Sequence, residues 1–132
     1  MVIFMDTSAL FALVNTEDRF HETAKRQWQN ILENDDTLVC TNYVIVESIS
    51  LIQRRLGMDF ISALQTKILS LVETKWVDET QHETALDAFL QANRRQLSLV
   101  DCSSFETMRR LKLETVFTFD EHFREQGFTV IP

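Results

Sequence analysis

The chain has 132 residues, of which 45% are hydrophobic, and its net charge at pH 7 is −7. This length and this apolar content fit one domain, residues 1–132, with one core. The acidic charge argues against a surface built for bulk nucleic-acid binding. It does not exclude a nucleic-acid enzyme, because metal ions can neutralise a local acidic cluster.

Apolar runs and helical spacings alternate along the chain. Strands are predicted at 2–5, 37–41, 75–77, 115–119 and 129–131. Helices are predicted at 18–33, 43–56, 60–72, from 80 onward with a capping box at its start, at 101–111 and at 121–126. This alternation predicts an α/β fold with a mainly parallel five-stranded sheet and helices on both of its faces.

Four acidic residues stand beside or inside apolar runs, where a carboxylate without a partner is costly. Asp6, Asp101 and Asp120 each follow such a run, and Glu47 lies within the run 43–49. In open parallel sheets, sites form beyond the carboxyl ends of the strands, where the topology switches direction. Asp6 and Asp120 directly follow predicted strands, while Asp101 and Glu47 lie in or at the start of helices that leave the same edge. These positions are consistent with one shared site.

Each aspartate also has a simpler interpretation as a helix N-cap. The two roles are compatible, because a carboxylate has several lone pairs. The simpler interpretation of Glu47 is an ion pair with Arg54 or a side chain that extends to solvent. A role in holding or supporting a metal ion is the better interpretation of Glu47 once the three aspartates are considered with it.

A carboxylate cluster without cysteine or histidine is a hard oxygen site that suits Mg²⁺ or Mn²⁺ better than zinc. Such ions bind phosphates and orient an attacking water. The residue types therefore favour phosphodiester hydrolysis. His122 follows Asp120 closely, but we predict that it is a surface residue, because no second histidine stands at ligand spacing.

At these residues the chain resembles the PIN-domain family of metal-dependent ribonucleases, most closely the toxins of bacterial VapBC toxin–antitoxin pairs. The matching pieces are spread over nearly the whole chain. They are residues 2–10 (VIFMDTSAL), Glu47, residues 98–105 (SLVDCSSF), residues 117–123 (FTFDEHF) and the pair Gly127-Phe128.

The resemblance implies a three-layer α/β/α sandwich and Mg²⁺- or Mn²⁺-dependent cleavage of RNA. By position, four residues match the family's catalytic acidic quartet: Asp6, Glu47, Asp101 and Asp120. The three aspartates would be the metal ligands, with Asp6 and Asp101 the foremost direct ones. Asp120 and Glu47 would bind the metal directly or through water, or help to activate the nucleophile. Thr7 or Ser104 could hold a ligand carboxylate in place. Homodimers and silencing by a cognate antitoxin protein are also implied.

Outside the quartet, Arg94 and Arg95 are the better candidates for phosphate contacts with RNA, although a solvated basic face is the simpler interpretation. Cys40 and Cys102 lack metal-ligand spacing and predict buried free thiols in a reducing compartment. No apolar stretch is long enough to cross a membrane, and Asp6 interrupts the N-terminal run too early for a signal peptide. We therefore expect a cytoplasmic protein.

Three alternatives to a toxin ribonuclease stay open. One is a PIN-type nuclease that processes RNA without being a toxin, and another is a PIN-like scaffold that binds a protein partner without catalysis. The third is phosphoryl transfer through an aspartyl phosphate on Asp6. That reaction would need an aspartate where Ser8 stands and a nearby lysine, and Lys112 is poorly placed for this.

Overall fold

The computed structural model describes residues 1–132, and its five strands form one parallel sheet. The strands are β1 (Val2–Met5), β2 (Thr37–Thr41), β3 (Val72–Lys75), β4 (Thr115–Phe117) and β5 (Thr129–Ile131). Their order across the sheet is β3-β2-β1-β4-β5, and every neighbouring pair is parallel. The predicted five-stranded α/β fold is confirmed.

Seven α-helices connect the strands. They are α1 (Thr7–Val14), α2 (His21–Glu33), α3 (Asn42–Arg55), α4 (Met58–Ala63), α5 (Glu79–Ala92), α6 (Leu99–Arg110) and α7 (His122–Glu125). None of them is both long and apolar enough to cross a membrane.

The order in which the chain adds strands to the sheet reverses between β1 and β4. These two strands lie side by side although more than 100 residues separate them in sequence. The chain first adds strands on one side of β1 and then returns to add β4 and β5 on the other. The backbone N–H of Asp6 donates to the carbonyl of Phe117 (3.1 Å), so the ends of β1 and β4 stay joined at this point. A switch point of this kind is where open α/β sheets form their sites.

The central strands are apolar because both faces of the sheet are covered. Phe4, Met5 and Phe117 are completely buried, and they belong to a core of 24 apolar residues. Cys40 and Cys102 are buried in this core as free thiols, as predicted, and burial raises the pKa of Cys40 to about 12. The strands on either side of the switch point, β1 and β4, are therefore anchored in the core.

The third strand and the segment before it differ from the prediction. The strand spans Val72–Lys75 instead of 75–77, and the predicted helix 60–72 is divided into α4, a π-helical turn (Leu64–Ile68) and a 3₁₀ turn (Leu69–Leu71). The strand lies at the edge of the sheet and is only partly buried, so its sequence VETK lacks the apolar run that identified the other strands.

Two predicted helix starts are also corrected. Asp78 caps α5 and forms a capping box with Gln81, whereas the sequence suggested a box that begins at Thr80. Ser98 caps α6, so Asp101 is not the N-cap but the third helical residue, and it closes a capping box with Ser98. Asp and Ser are both favoured N-caps, and the sequence alone did not separate them.

Candidate metal centre

Asp6 is fixed at the end of β1 by hydroxyl groups from two elements. It is the N-cap of α1 and only 4% exposed. Its Oδ2 accepts hydrogen bonds from Ser8 Oγ (2.9 Å) and from Thr118 Oγ1 (2.8 Å). Thr118 follows β4, so the pairing of β1 with β4 is what brings this hydroxyl to Asp6.

Asp101 is fixed within the first turn of α6. Its Oδ2 accepts a hydrogen bond from the backbone N–H of Ser98 (3.0 Å), and the N–H of Asp101 donates to Ser98 Oγ (3.0 Å). The side chain is buried, with 8% exposure of the residue. The capping box therefore sets the orientation of this carboxylate before any ligand binds.

Asp120 and His122 form a pair just beyond β4. Asp120 Oδ1 accepts a hydrogen bond from the backbone N–H of His122 (2.9 Å) and lies 3.0 Å from His122 Nδ1. That second contact lacks hydrogen-bond geometry, and Nδ1 is buried without a partner in the chain. The prediction that His122 is a surface residue is therefore wrong, since its side chain is only 18% exposed.

Glu47 lies in α3, half-buried beside Thr7. It forms no ion pair, and in particular none with Arg54. Burial raises the pKa of Glu47, and the charges of Asp6 and Asp120 add to this rise. The ion-pair interpretation of Glu47 is thus excluded, and the carboxylate faces the other acids.

The three aspartates share one pattern. Within each carboxylate, all hydrogen bonds from the chain fall on a single oxygen: Oδ2 of Asp6, Oδ2 of Asp101 and Oδ1 of Asp120. The other oxygen accepts no hydrogen bond from the protein. One oxygen therefore holds the side chain in place while the other keeps its lone pairs for a ligand.

The four acids act on one another electrostatically. Burial raises the pKa of Asp6 from 3.8 to about 6, against the hydrogen bonds from Thr118 and Ser8 and with a contribution from Asp101 and Asp120. Burial also raises the pKa of Asp101, and the charges of Asp120 and Glu47 contribute. Such mutual effects are expected of carboxylates that lie near one another, which agrees with the predicted convergence.

Two of the acids and the neighbouring His122 have a geometry that suits a cation. Ligand atoms of Asp101, Asp120 and His122 all lie within 4.8 Å of one another. Two carboxylates and an imidazole form a donor set for a divalent metal ion. Asp6 and Glu47 lie outside this innermost group, but their charges reach it.

Three contributors were not identified from the sequence: Ser8, Thr118 and the ring of His122. Thr118 lies 112 residues from Asp6 in sequence, so no local spacing indicates its hydroxyl, whereas Ser8 is only two residues from Asp6. The proximity of His122 to Asp120 in sequence was the one available signal. Of the two residues expected to support a ligand, Thr7 lies beside Glu47, and Ser104 is buried without a hydrogen-bond partner.

Arg94 and Arg95 lie in the exposed connection between α5 and α6. Arg94 pairs with Glu125 (3.1 Å), and this exposed ion pair contributes little to stability. Neither arginine makes a hydrogen bond or an ion pair with any member of the acidic group.

A parallel sheet with carboxylates at its switch point is compatible with a site for a divalent metal ion, and comparison with known proteins identifies the family. The PIN domain model matches residues 3–128. The chain belongs to the PIN domain family.

One relative is similar over the full length. The chain is 30% identical over 131 residues to the 23S rRNA-specific endonuclease VapC20 of Mycobacterium tuberculosis, and the match covers 98% of both proteins. The crystal structure of VapC20, described as a sarcin–ricin loop cleaving toxin, superposes with a TM-score of 0.87 over 98% of this chain and 99% of that one. The resemblance to VapC-type toxins is confirmed.

More distant structures share the fold. VapBC2 from Rickettsia felis matches with a TM-score of 0.72 at 11% identity, over 98% of this chain and 97% of that one. FitAcB from Neisseria gonorrhoeae matches with a TM-score of 0.68 at 16% identity, over 100% and 97%. The fold thus persists where little sequence identity remains.

Proposed function

We propose that this protein is a Mg²⁺- or Mn²⁺-dependent endoribonuclease and the toxin of a toxin–antitoxin pair. The observation that carries the proposal is the coupled carboxylate group at the switch point, with three ligand-bearing side chains within 4.8 Å. The similarity to VapC20, a 23S rRNA-specific endonuclease, supports RNA as the substrate. We further propose the sarcin–ricin loop as the target region, since that is what VapC20 cleaves.

Each member of the group has a distinct task in this proposal. The free oxygens of Asp101 and Asp120 would hold the ion, with His122 as a nitrogen donor beside them. Asp6, locked by Ser8 and Thr118, would complete the negative site, directly or through water. The chemistry that a divalent ion supplies at such a site is polarisation of a phosphoryl oxygen and deprotonation of water near neutral pH.

Glu47 is suited to proton transfer. Its carboxylate is half-buried and makes no ion pair, and burial raises its pKa above the ordinary value of a glutamate. A general base works best when its pKa lies near the operating pH. We therefore assign Glu47 the acceptance of a proton from the attacking water, while the aspartates bind the ion.

Cleavage of an RNA stem-loop with the sarcin–ricin sequence tests the proposal. We expect cleavage with Mg²⁺, none with EDTA, and a loss of about 1,000-fold in Asp101→Asn, because removing a metal ligand costs several kcal/mol of transition-state stabilisation. Asp87→Asn is the matched control, since Asp87 is exposed on α5. Equal cleavage by wild type and Asp101→Asn would reject the assigned site.

The toxin role has a separate test in cells. We expect induced expression of the wild-type chain in a bacterium to stop growth and Asp101→Asn to have no effect at equal protein level. We also propose a homodimer, an antitoxin partner and a cytoplasmic location, as the resemblance to VapBC toxins implies. Sedimentation of the purified chain at micromolar concentration tests the dimer. In the growth experiment, a chain that cleaves RNA in vitro but does not slow growth would favour an RNA-processing role over a toxin role.

A further inference from the structure

A second pocket adjoins the acidic group on the side of α3. Its volume is about 330 Å³, and it is lined by Asn42, Tyr43, Val46, Glu47 and Val100. Glu47 belongs both to this pocket and to the coupled carboxylates, so the two sites are continuous. The size lies at the lower end of the range of roughly 300–1,000 Å³ for pockets that bind small ligands.

The walls of the pocket are mostly apolar and are held in place. Tyr43 hydroxyl contacts His82 Nδ1, and the His82 ring packs edge-on against the Tyr43 ring at 5.8 Å. Val46 is 64% exposed and is not part of the core. An exposed aliphatic side chain next to a fixed aromatic ring is a surface on which a flat apolar group can pack.

One polar group of the pocket is free to donate. Asn42 Oδ1 accepts a hydrogen bond from the backbone N–H of Val77 (2.7 Å), which fixes the orientation of the amide. The Nδ2 amino group therefore points away from that bond, and it makes no hydrogen bond in the chain. The pocket has no cation and one carboxylate, so its charge disfavours a phosphate and favours a neutral ligand with acceptor atoms.

We propose that this pocket binds one unpaired base of the RNA substrate next to the cleaved bond. This inference rests on the proposed ribonuclease function and names a specificity-determining subsite for it. The base packs on Tyr43 and Val46 and accepts a hydrogen bond from Asn42 Nδ2. Proteins commonly recognise single-stranded RNA by stacking splayed bases on aromatic side chains and contacting their polar edges.

The test compares Val46→Ala and Tyr43→Leu with wild type on the stem-loop used above and on versions with a single abasic nucleotide near the cut. Leu71→Ala is the matched control, because Leu71 is 53% exposed and lies at the opposite end of β3. We expect both variants to lower kcat/KM about tenfold on the intact loop, since a stacked base contributes at roughly that level. We expect no further loss on the loop whose missing base fills the pocket.

Equal cleavage of intact and abasic loops by wild type and both variants would overturn the subsite. Binding of the same loops in EDTA, followed by fluorescence anisotropy, separates this inference from the nuclease proposal. Weaker binding by Val46→Ala without any cleavage by wild type would retain the subsite and reject the nuclease. Normal cleavage together with unchanged binding by both variants would retain the nuclease and reject the subsite. The pocket would then be available for a protein partner instead of RNA.

Discussion

The two ends of the central sheet differ in how their polar groups are hydrogen-bonded. Five buried polar atoms lack hydrogen-bond partners in the chain, and all five belong to residues that lie within three sequence positions of one of the four acids: Thr7, Ser48, Ser103, Ser104 and His122. At the amino ends, the N-terminal ammonium pairs with Asp36 (3.1 Å), and the N–H of Thr37 donates to the carbonyl of Met1 (2.9 Å).

The comparison shows where this fold gives up stability. Most buried polar groups in proteins are hydrogen-bonded, and exceptions are concentrated where function requires them. Here four of the five exceptions lie near Asp6, Glu47 or Asp101 in sequence, and burial together with neighbouring negative charge raises the pKa values of these three carboxylates. Under the proposed function, this cost falls on the end of the sheet that would bind the ion, whereas the contacts at the amino end join the N-terminus to the start of β2.

The largest effect that would test this contrast is on the charge of Asp6. A pKa raised from 3.8 to about 6 means that the fold favours the protonated form. Stability from this group is fully present below pH 3.8 and is lost as the pH rises through 6. The shift corresponds to about 3 kcal/mol. We expect metal-free Asp6→Asn to exceed wild type in free energy of unfolding by up to this amount at about pH 7.5, with the difference vanishing towards about pH 4.

Urea unfolding of both proteins in EDTA across this range of pH measures the difference. The side-chain amide introduced by Asp6→Asn keeps an acceptor oxygen for Ser8 and Thr118, so the comparison isolates the charge. A wild type that is more stable than Asp6→Asn above neutral pH without metal would contradict the cost assigned to the carboxyl end.

How much of this contrast was readable from the sequence depends on the range of the interactions involved. Asp6 follows β1 as predicted, because a continuous apolar run identifies a buried strand. Asp120 lies three residues beyond β4 instead of directly after it, because the strand ends at Phe117 and not at residue 119. The hydroxyl of Thr118 was not identified, because its contact with Asp6 exists only through the adjacency of β1 and β4. The predicted position of β3 was three residues too far along the chain, because a half-exposed edge strand lacks an apolar run that would mark its start.

Metal binding should reverse the cost at the carboxyl end. A ligand that binds only the folded state stabilises it by about 2.7 kcal/mol at a concentration of about 100 Kd. We expect Mn²⁺ to raise the melting temperature of wild type and to have no effect on Asp120→Asn. In His122→Asn we expect a smaller shift with Mn²⁺ and little change with Mg²⁺, because imidazole suits transition metals better.

Differential scanning fluorimetry across a Mn²⁺ and a Mg²⁺ series gives these shifts, with EDTA restoring the starting value. The variant Asp87→Asn provides the control for an unrelated carboxylate. An equal Mn²⁺ shift in Asp120→Asn would place the ion elsewhere, and a loss of the Mg²⁺ shift in His122→Asn would make the imidazole a general ligand.

A smaller effect is expected from the hydroxyl that joins β4 to the acids. Thr118 Oγ1 donates to Asp6 and accepts from the backbone N–H of Asp120 (3.0 Å). Thr118→Val leaves both groups without this partner while keeping the side-chain shape, which costs about 1–3 kcal/mol. Thr118 lowers the pKa of Asp6, so this carboxyl stays protonated to a higher pH in the variant. The Mn²⁺ affinity of the variant should therefore fall below that of wild type by more at about pH 6 than at about pH 8.

Ser104→Ala is the matched variant, since it removes a buried hydroxyl that has no hydrogen-bond partner. We expect it to leave the free energy of unfolding unchanged or slightly higher. Urea titration and Mn²⁺ titration by calorimetry distinguish the two. Equal destabilisation by both substitutions would show that hydroxyl burial, and not the bond to Asp6, determines stability at this end.

The smallest effect is expected at the amino end. Asp36 pairs with the terminal ammonium of Met1, whose side chain is 61% exposed, while the side chain of Asp36 is 13% exposed. Ion pairs at the protein surface contribute about 0–1 kcal/mol. Asp36→Asn should therefore change urea unfolding by less than about 1 kcal/mol, and this change should shrink at high salt because ions screen the pair. RNA cleavage and the Mn²⁺ shift should equal those of wild type. If Asp36→Asn impaired cleavage as Asp101→Asn is expected to, charge reduction anywhere in this acidic chain would suffice to weaken activity, and the separation between a functional and a structural end of the sheet would fail.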